Sequence, residues 1–183
     1  MFGIDITKLL IFFLTALIIG IIIGIVIFFK SIINSIKTRN STKLKYTLVC
    51  ILCVIIAMAA WIFNFGWLRM ILTFLAVPVI HTIVFMIITN FALSHVDKSS
   101  EIKTYVIISY VTYLLSYISL PDFADMGPTY VFFGLIHNDA FANISFYITF
   151  TAIAVNIVFL ILQLVKCVEI KRENKEQTKE PPL

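Results

Sequence analysis

Residues 9–29 read LLIFFLTALIIGIIIGIVIFF, with no charged side chain in the run. Such a run leaves few options. As a helix, about 20 apolar residues cover about 30 Å of hydrocarbon. In water the same helix would have to bury every face. Four more segments have this character, and the full set runs at about 9–29, 46–65, 70–93, 105–120 and 144–165. The fourth is the shortest and the most polar. Composition argues against a soluble alternative: 61% of the 183 residues are hydrophobic, 13% are charged, and the mean hydropathy is +1.03. Soluble domains are about half apolar and about a quarter charged, and a chain this size cannot hide such an excess in one core. The expectation is an all-α integral membrane protein, a bundle of about five transmembrane helices. The first run exceeds the roughly 7–15 apolar residues of a signal peptide, and Lys30 rather than a small-residue cleavage site follows it, so it stays as a helix.

Basic residues set the expected orientation. With the N-terminus outside and the C-terminus cytoplasmic, the inner face receives twelve of the fourteen Lys and Arg residues, and only Lys8 and Arg69 lie outside. The inner face then carries six acids against twelve bases and the outer face four against two, so the net charges are +6 and −2. This is the positive-inside pattern, and adding or removing one span would break it. The net charge of +4 is therefore a topology signal. No basic patch with interleaved aromatics points to nucleic acid. Residues 166–183, ending in KRENKEQTKEPPL, lack apolar periodicity and are expected to form a disordered cytoplasmic tail. Abundant Ile, Lys and Asn suit an AT-rich genome, which suggests a bacterial plasma membrane.

Polar residues inside the spans are the candidate functional groups. His81 lies twelve residues after Arg69, about 18 Å along a helix and close to the midplane. Asn156, Thr112 and Tyr113 fall at similar depths of the last two spans. These four form a candidate midplane polar node, since an ionisable residue at membrane depth is a functional hypothesis by default. The competing reading is a neutral histidine bonded to Tyr113 or Asn156 as interhelical glue. Ser145, Thr149, Asn156 and Gln163 share one face of the last span, and Ser109, Thr112, Ser116 and Ser119 form a matching band on the fourth, with Tyr110, Tyr113 and Tyr117 beside it, so these two helices are expected to pack through them. Pro78 should kink the third span just before His81.

A second candidate lies in PDFADMGPTYVFFGLIHNDAFAN, residues 121–143, the expected outer loop. Asp122, Asp125, His137 and Asp139, with Arg69 from the neighbouring outer turn, could line a vestibule for a substrate or ion. Carboxylates with a histidine are also a chemically reasonable metal or acid/base set. Their spacing matches no specific motif, and the competing reading is a solvated loop in which Asp139 caps the last helix. Arg69, with Trp61 and Trp67, is expected in the interfacial belt, snorkelling to phosphates or pairing with Asp122 or Asp125.

Ala16, Gly20 and Gly24 repeat every four residues in the first span, a close-packing face for the bundle, a second copy or a membrane partner. Cys50 and Cys53 sit in lipid context rather than in a redox unit. Cys167 is a juxtamembrane candidate for acylation. No phosphate loop, nucleophile elbow or kinase motif is present, and no cofactor, metal centre or catalytic residue is expected. Three functions remain open: a small carrier, channel or transport-accessory subunit; a non-catalytic interaction, assembly or immunity-type protein; and a membrane hydrolase using the outer Asp/His set.

Overall fold

A computed structural model describes residues 6–63, 67–121, 130–133 and 135–177. Helix α1 spans Ile6–Lys37 and α2 spans Ser41–Phe63. A short helix α3, Trp67–Phe74, leads into α4, Val77–Leu93. Helix α5 is Ser100–Ile118 and α6 is Asp139–Gln177. Between the last two, β1 (Tyr130–Val131) and β2 (Ile136–His137) form a two-residue antiparallel ladder in the register Tyr130↔His137.

Local chemistry sets the ends of these elements. Arg39, at φ 51°, takes the left-handed conformation that closes helices, and the Asn40 side chain accepts from Lys43 N at 2.7 Å, capping α2. The Ser99 hydroxyl accepts from Ile102 N to start α5, with Glu101 in the positive first turn. Asn138 Oδ1 accepts from Phe141 N at 3.2 Å, so Asn138 caps α6 and Asp139 is the first helical residue. This corrects the expected cap. Asx side chains cap from the position just outside the helix, and Asn138 holds it.

The expected third span is two helices. They meet at 65°, and the break falls at Leu75 and Ala76, with Ala76 at φ 56°. Pro78 does not kink a helix interior. It sits in the first turn of α4, where its missing N–H costs nothing. The tail also departs from expectation: α6 continues through residues 166–177. Its Lys, Glu, Arg and Gln residues are strong helix formers, and the pairs Lys166–Glu169 (2.9 Å) and Arg172–Glu176 (3.1 Å) join successive turns. Lys166 also reaches Glu101 on α5 at 2.8 Å.

The bundle is greasy outside and polar inside. Phe63, Ile62 and Val165 are 73%, 67% and 59% exposed, whereas Ser109, Thr149, Asn156 and Gln163 are fully buried. Among the described residues, α2 and Asp139–Glu176 of α6 are long and apolar enough to cross a bilayer, and α3 with α4 makes a third if the bent pair is one span. Helices α5 and α6 meet along the paired polar faces. The aromatic core beside them is built on Phe85 stacked on Tyr113, centroids 4.0 Å apart and 6° from parallel.

Candidate functional site

The interior polar groups converge on Asn156 of α6. Its Nδ2 donates to the Ser109 carbonyl at 2.8 Å and to Thr112 Oγ1 at 3.1 Å, both on α5. A backbone carbonyl accepts only, so the amide nitrogen must face α5 and Oδ1 must face α4. There it meets His81 Nε2 at 3.1 Å. Since Oδ1 also accepts only, Nε2 carries a hydrogen. His81 Nδ1 lies 3.2 Å from the Tyr117 hydroxyl. In neutral imidazole Nδ1 is then an acceptor, and Tyr117 donates to it.

Directed bonds continue around this pair. Tyr113 Oη lies 2.8 Å from Thr82 Oγ1, which donates to the Pro78 carbonyl at 2.7 Å. The Tyr117 hydroxyl is also 3.0 Å from the Pro78 carbonyl. Two acceptors therefore compete for the Tyr117 hydrogen. Turning it from His81 to Pro78 lets Nδ1 take a proton and donate to the Tyr117 oxygen. The hydrogen bonds around the ring can be satisfied for either neutral or charged imidazole with every heavy atom in place.

Of the four node candidates, His81, Asn156 and Thr112 form one hydrogen-bonded series. Tyr113 bonds Thr82, and its ring lies 5.4 Å from the His81 ring. Sequence reasoning missed Thr82, and it placed Ser109 and Tyr117 on the packing face of the fourth span without joining them to His81 and Asn156. The place of Tyr117 in the node was discernible in principle, four residues after Tyr113 and on the same helical face. Its ring stacks on His81 at 5.7 Å and 11°. Farther along α6, Gln163 Nε2 donates to Ser109 Oγ at 2.6 Å, and Thr149 Oγ1 lies 3.0 Å from Ser119 Oγ, so the two polar faces meet over several turns.

Arg69 departs most from expectation. It is fully buried rather than in an interfacial belt. Its guanidinium donates to the carbonyls of Ala60, Leu120 (2.7 Å) and Tyr117 (3.3 Å), and lies over the Trp61 ring, 5.3 Å from the centroid. Ala60 is in the last turn of α2, while Tyr117 and Leu120 close α5. Carbonyls at these helix ends have no intrahelical donor and carry the negative end of the helix dipole. One cation gathers both ends, which explains its burial better than snorkelling does.

The rest of the expected vestibule is not assembled by the described residues. Asp122 and Asp125 lie outside them, as does the His137 side chain, whose backbone is in β2. Asp139 is exposed at the start of α6. Among the described residues, no group of three or more His, Cys, Asp or Glu side chains could hold a metal. Of the small-residue face, Gly24 is buried, and a Cβ there would meet Met86 Cε of α4 at 3.0 Å. The side-chain surroundings of Ala16 and Gly20 lie outside the described residues. Cys167 is fully buried, which removes it as an acylation candidate, and Cys50 and Cys53 are buried free thiols.

The fold and its interior define a class: an all-helical protein with candidate membrane spans and a hydrogen-bonded polar cluster at its centre. Comparison with protein-family models, curated proteins and solved structures finds no match that would narrow this class.

Proposed function

We propose that the chain crosses a bacterial plasma membrane five times, through α1, α2, the bent pair α3–α4, α5 and α6, with its N-terminus outside and its C-terminus in the cytoplasm. The partition of twelve of fourteen basic residues to one side supports this reading. Helix lengths support it too: of the four proposed spans made of one helix, the shortest, α5, has 19 residues, about 28 Å. The polar residues of α5 are compatible with lipid because α6 covers them.

Within that frame the chain acts as a carrier-like, channel-like or transport-accessory subunit in which His81 takes up and releases a proton. One observation carries this: the Tyr117 hydroxyl has two acceptors, His81 Nδ1 at 3.2 Å and the Pro78 carbonyl at 3.0 Å. A merely structural histidine needs one fixed donor. A relay needs a partner that can accept or donate on demand.

The second reading is a non-catalytic interaction protein in which the same residues are glue. It is favoured by the satisfaction of both His81 nitrogens and the Asn156 amide within the chain. NMR of His81 in lipid nanodiscs between about pH 5 and about pH 8 separates the two, with His81→Gln as the assignment control. Titration in that range supports the relay and directs attention to proton-coupled uptake. Silence across it overturns the relay and leaves the glue.

A further inference from the structure

At the end of the bundle away from Arg69, α1, α2 and α4 border an open groove of about 940 Å³. This is at the upper end of the range for ligand sites. Apolar side chains of α1 line it, among them Val26, Phe29 and Ile33, each more than half exposed. It is also cationic, with Lys30 and Lys37 from α1 and Lys43 from α2, and among the described residues no carboxylate lines it. Asp97, from the turn after α4, is held by Asn40 Nδ2 at 2.5 Å.

The polar groups facing this groove are incompletely satisfied. Lys43 is only 8% exposed as a residue and lines this open groove, and among the described residues no acid pairs with it. The buried Ser31 hydroxyl and the buried Asn90 Oδ1 also lack partners among the described residues. A buried hydroxyl or carbonyl oxygen without a partner is costly. Interfacial anchoring accounts for Lys30 and Lys37, whose side chains are exposed. It does not account for the two orphaned polar atoms, Ser31 Oγ and Asn90 Oδ1, that face the same groove as Lys43.

We propose that this groove binds one anionic phospholipid: the phosphate at Lys43, Lys30 and Lys37, a headgroup hydroxyl at Asn90 and Ser31, and an acyl chain along Val26, Phe29 and Ile33. Basic pockets between membrane helices are suited to such headgroups. The apolar side chains interleaved with the cations along α1 select a lipid over a soluble phosphate, since free phosphate leaves them uncovered. The assignment requires that the chain sit in a bilayer and is independent of the His81 reading.

The test is native mass spectrometry of the full chain, released from detergent after incubation with equal amounts of phosphatidylglycerol and phosphatidylcholine of matched acyl chains. One phosphatidylglycerol should be retained in preference. Lys43→Gln should lower that preference about fivefold, and Lys30→Gln, on an exposed position that does not disturb folding, by a similar factor or less. Ile33→Trp, which fills the groove and leaves the charges, should displace the lipid. Equal retention of the two lipids, or a preference unchanged in all three variants, would overturn the proposal. So would saturation of the site by millimolar inorganic phosphate with no retained phosphatidylglycerol, which would assign it to a soluble phosphoester.

Discussion

Replacing Arg69 tests whether the helix-end carbonyls hold the bundle together. Arg69→Met keeps the length of the side chain and removes the fork. Two close bonds are lost, to Ala60 and Leu120, together with a longer one to Tyr117 and the stacking over Trp61. A hydrogen bond from a charged group contributes about 1.5–3 kcal/mol, and the two close bonds bring roughly 4 kcal/mol. Methionine recovers about 1 kcal/mol, because the buried guanidinium no longer has to be desolvated. The expected net loss is about 3 kcal/mol, or about 6–12 °C in melting temperature for a chain of this size. The molecule supplies its own probe. Cys50, Cys53 and Cys167 are free thiols no more than 4% exposed, so a thiol-reactive fluorophore reports unfolding in detergent. Arg69→Lys should recover less than half of the loss, because an ammonium cannot span carbonyls from two helices in the planar geometry of a guanidinium. If Arg69→Met melts within about 2 °C of the parent, the carbonyl clamp is not structural. Full rescue by lysine would show that charge alone matters.

The Asn156–His81 contact is open to a double-mutant cycle by the same melt: Asn156→Leu should cost about 2 kcal/mol, and adding His81→Phe should cost about 1 kcal/mol less than the sum of the two single changes, because no orphaned partner remains. Additivity would show that the two side chains do not interact. At Gly24, alanine should cost under about 1 kcal/mol, since the Met86 methyl that a Cβ meets is the end of a flexible chain, while leucine should cost about 1–3 kcal/mol by pushing α1 off α4; equal tolerance of both would deny a close approach. A fluorescent-protein fusion after Leu183 should light up in the cytoplasm and an alkaline-phosphatase fusion there should stay inactive; the opposite pair of results would invert the proposed orientation.

What the sequence made legible was periodic. Ser145, Thr149, Asn156 and Gln163 recur at helical spacing, so their common face followed from geometry, and its burial followed from the cost of bare polar groups in lipid. Non-periodic features were harder to read. Pro78 correctly marked a disturbed third span, yet the chain turns two residues earlier, because a left-handed alanine at 76 leaves no trace in composition. Arg69 looked interfacial because its place in sequence is next to a turn. Among the described residues its partners include backbone carbonyls from α2 and α5, which every residue type supplies, so no pattern announces them. The helical tail was misread for the opposite reason. Lack of apolar periodicity argues against a packed helix, but not against one carried by propensity and by spaced Lys–Glu and Arg–Glu pairs.

Tyr117 joins the two unusual features of this bundle. Its carbonyl accepts from Arg69, its ring packs edge-on against Trp61 at 5.8 Å and stacks on His81, and its hydroxyl stands between His81 and Pro78. Pro78 opens α4 immediately after the 65° break, where helix-start geometry leaves the orientation of α4 to side-chain contacts. A proton arriving at His81 would turn the Tyr117 hydroxyl onto the Pro78 carbonyl, adding a bond to the first turn of α4 where neutral imidazole gives none. The charge change would thus be transmitted to the break. Tyr117→Phe separates this coupling from simple glue. It should leave the Asn156 bond to His81 in place while making the environment of residues 75–78 indifferent to pH, read by NMR on the backbone amides of Leu75, Ala76 and Val77. If those amides respond to pH equally in the parent and in Tyr117→Phe, the hydroxyl does not carry the signal.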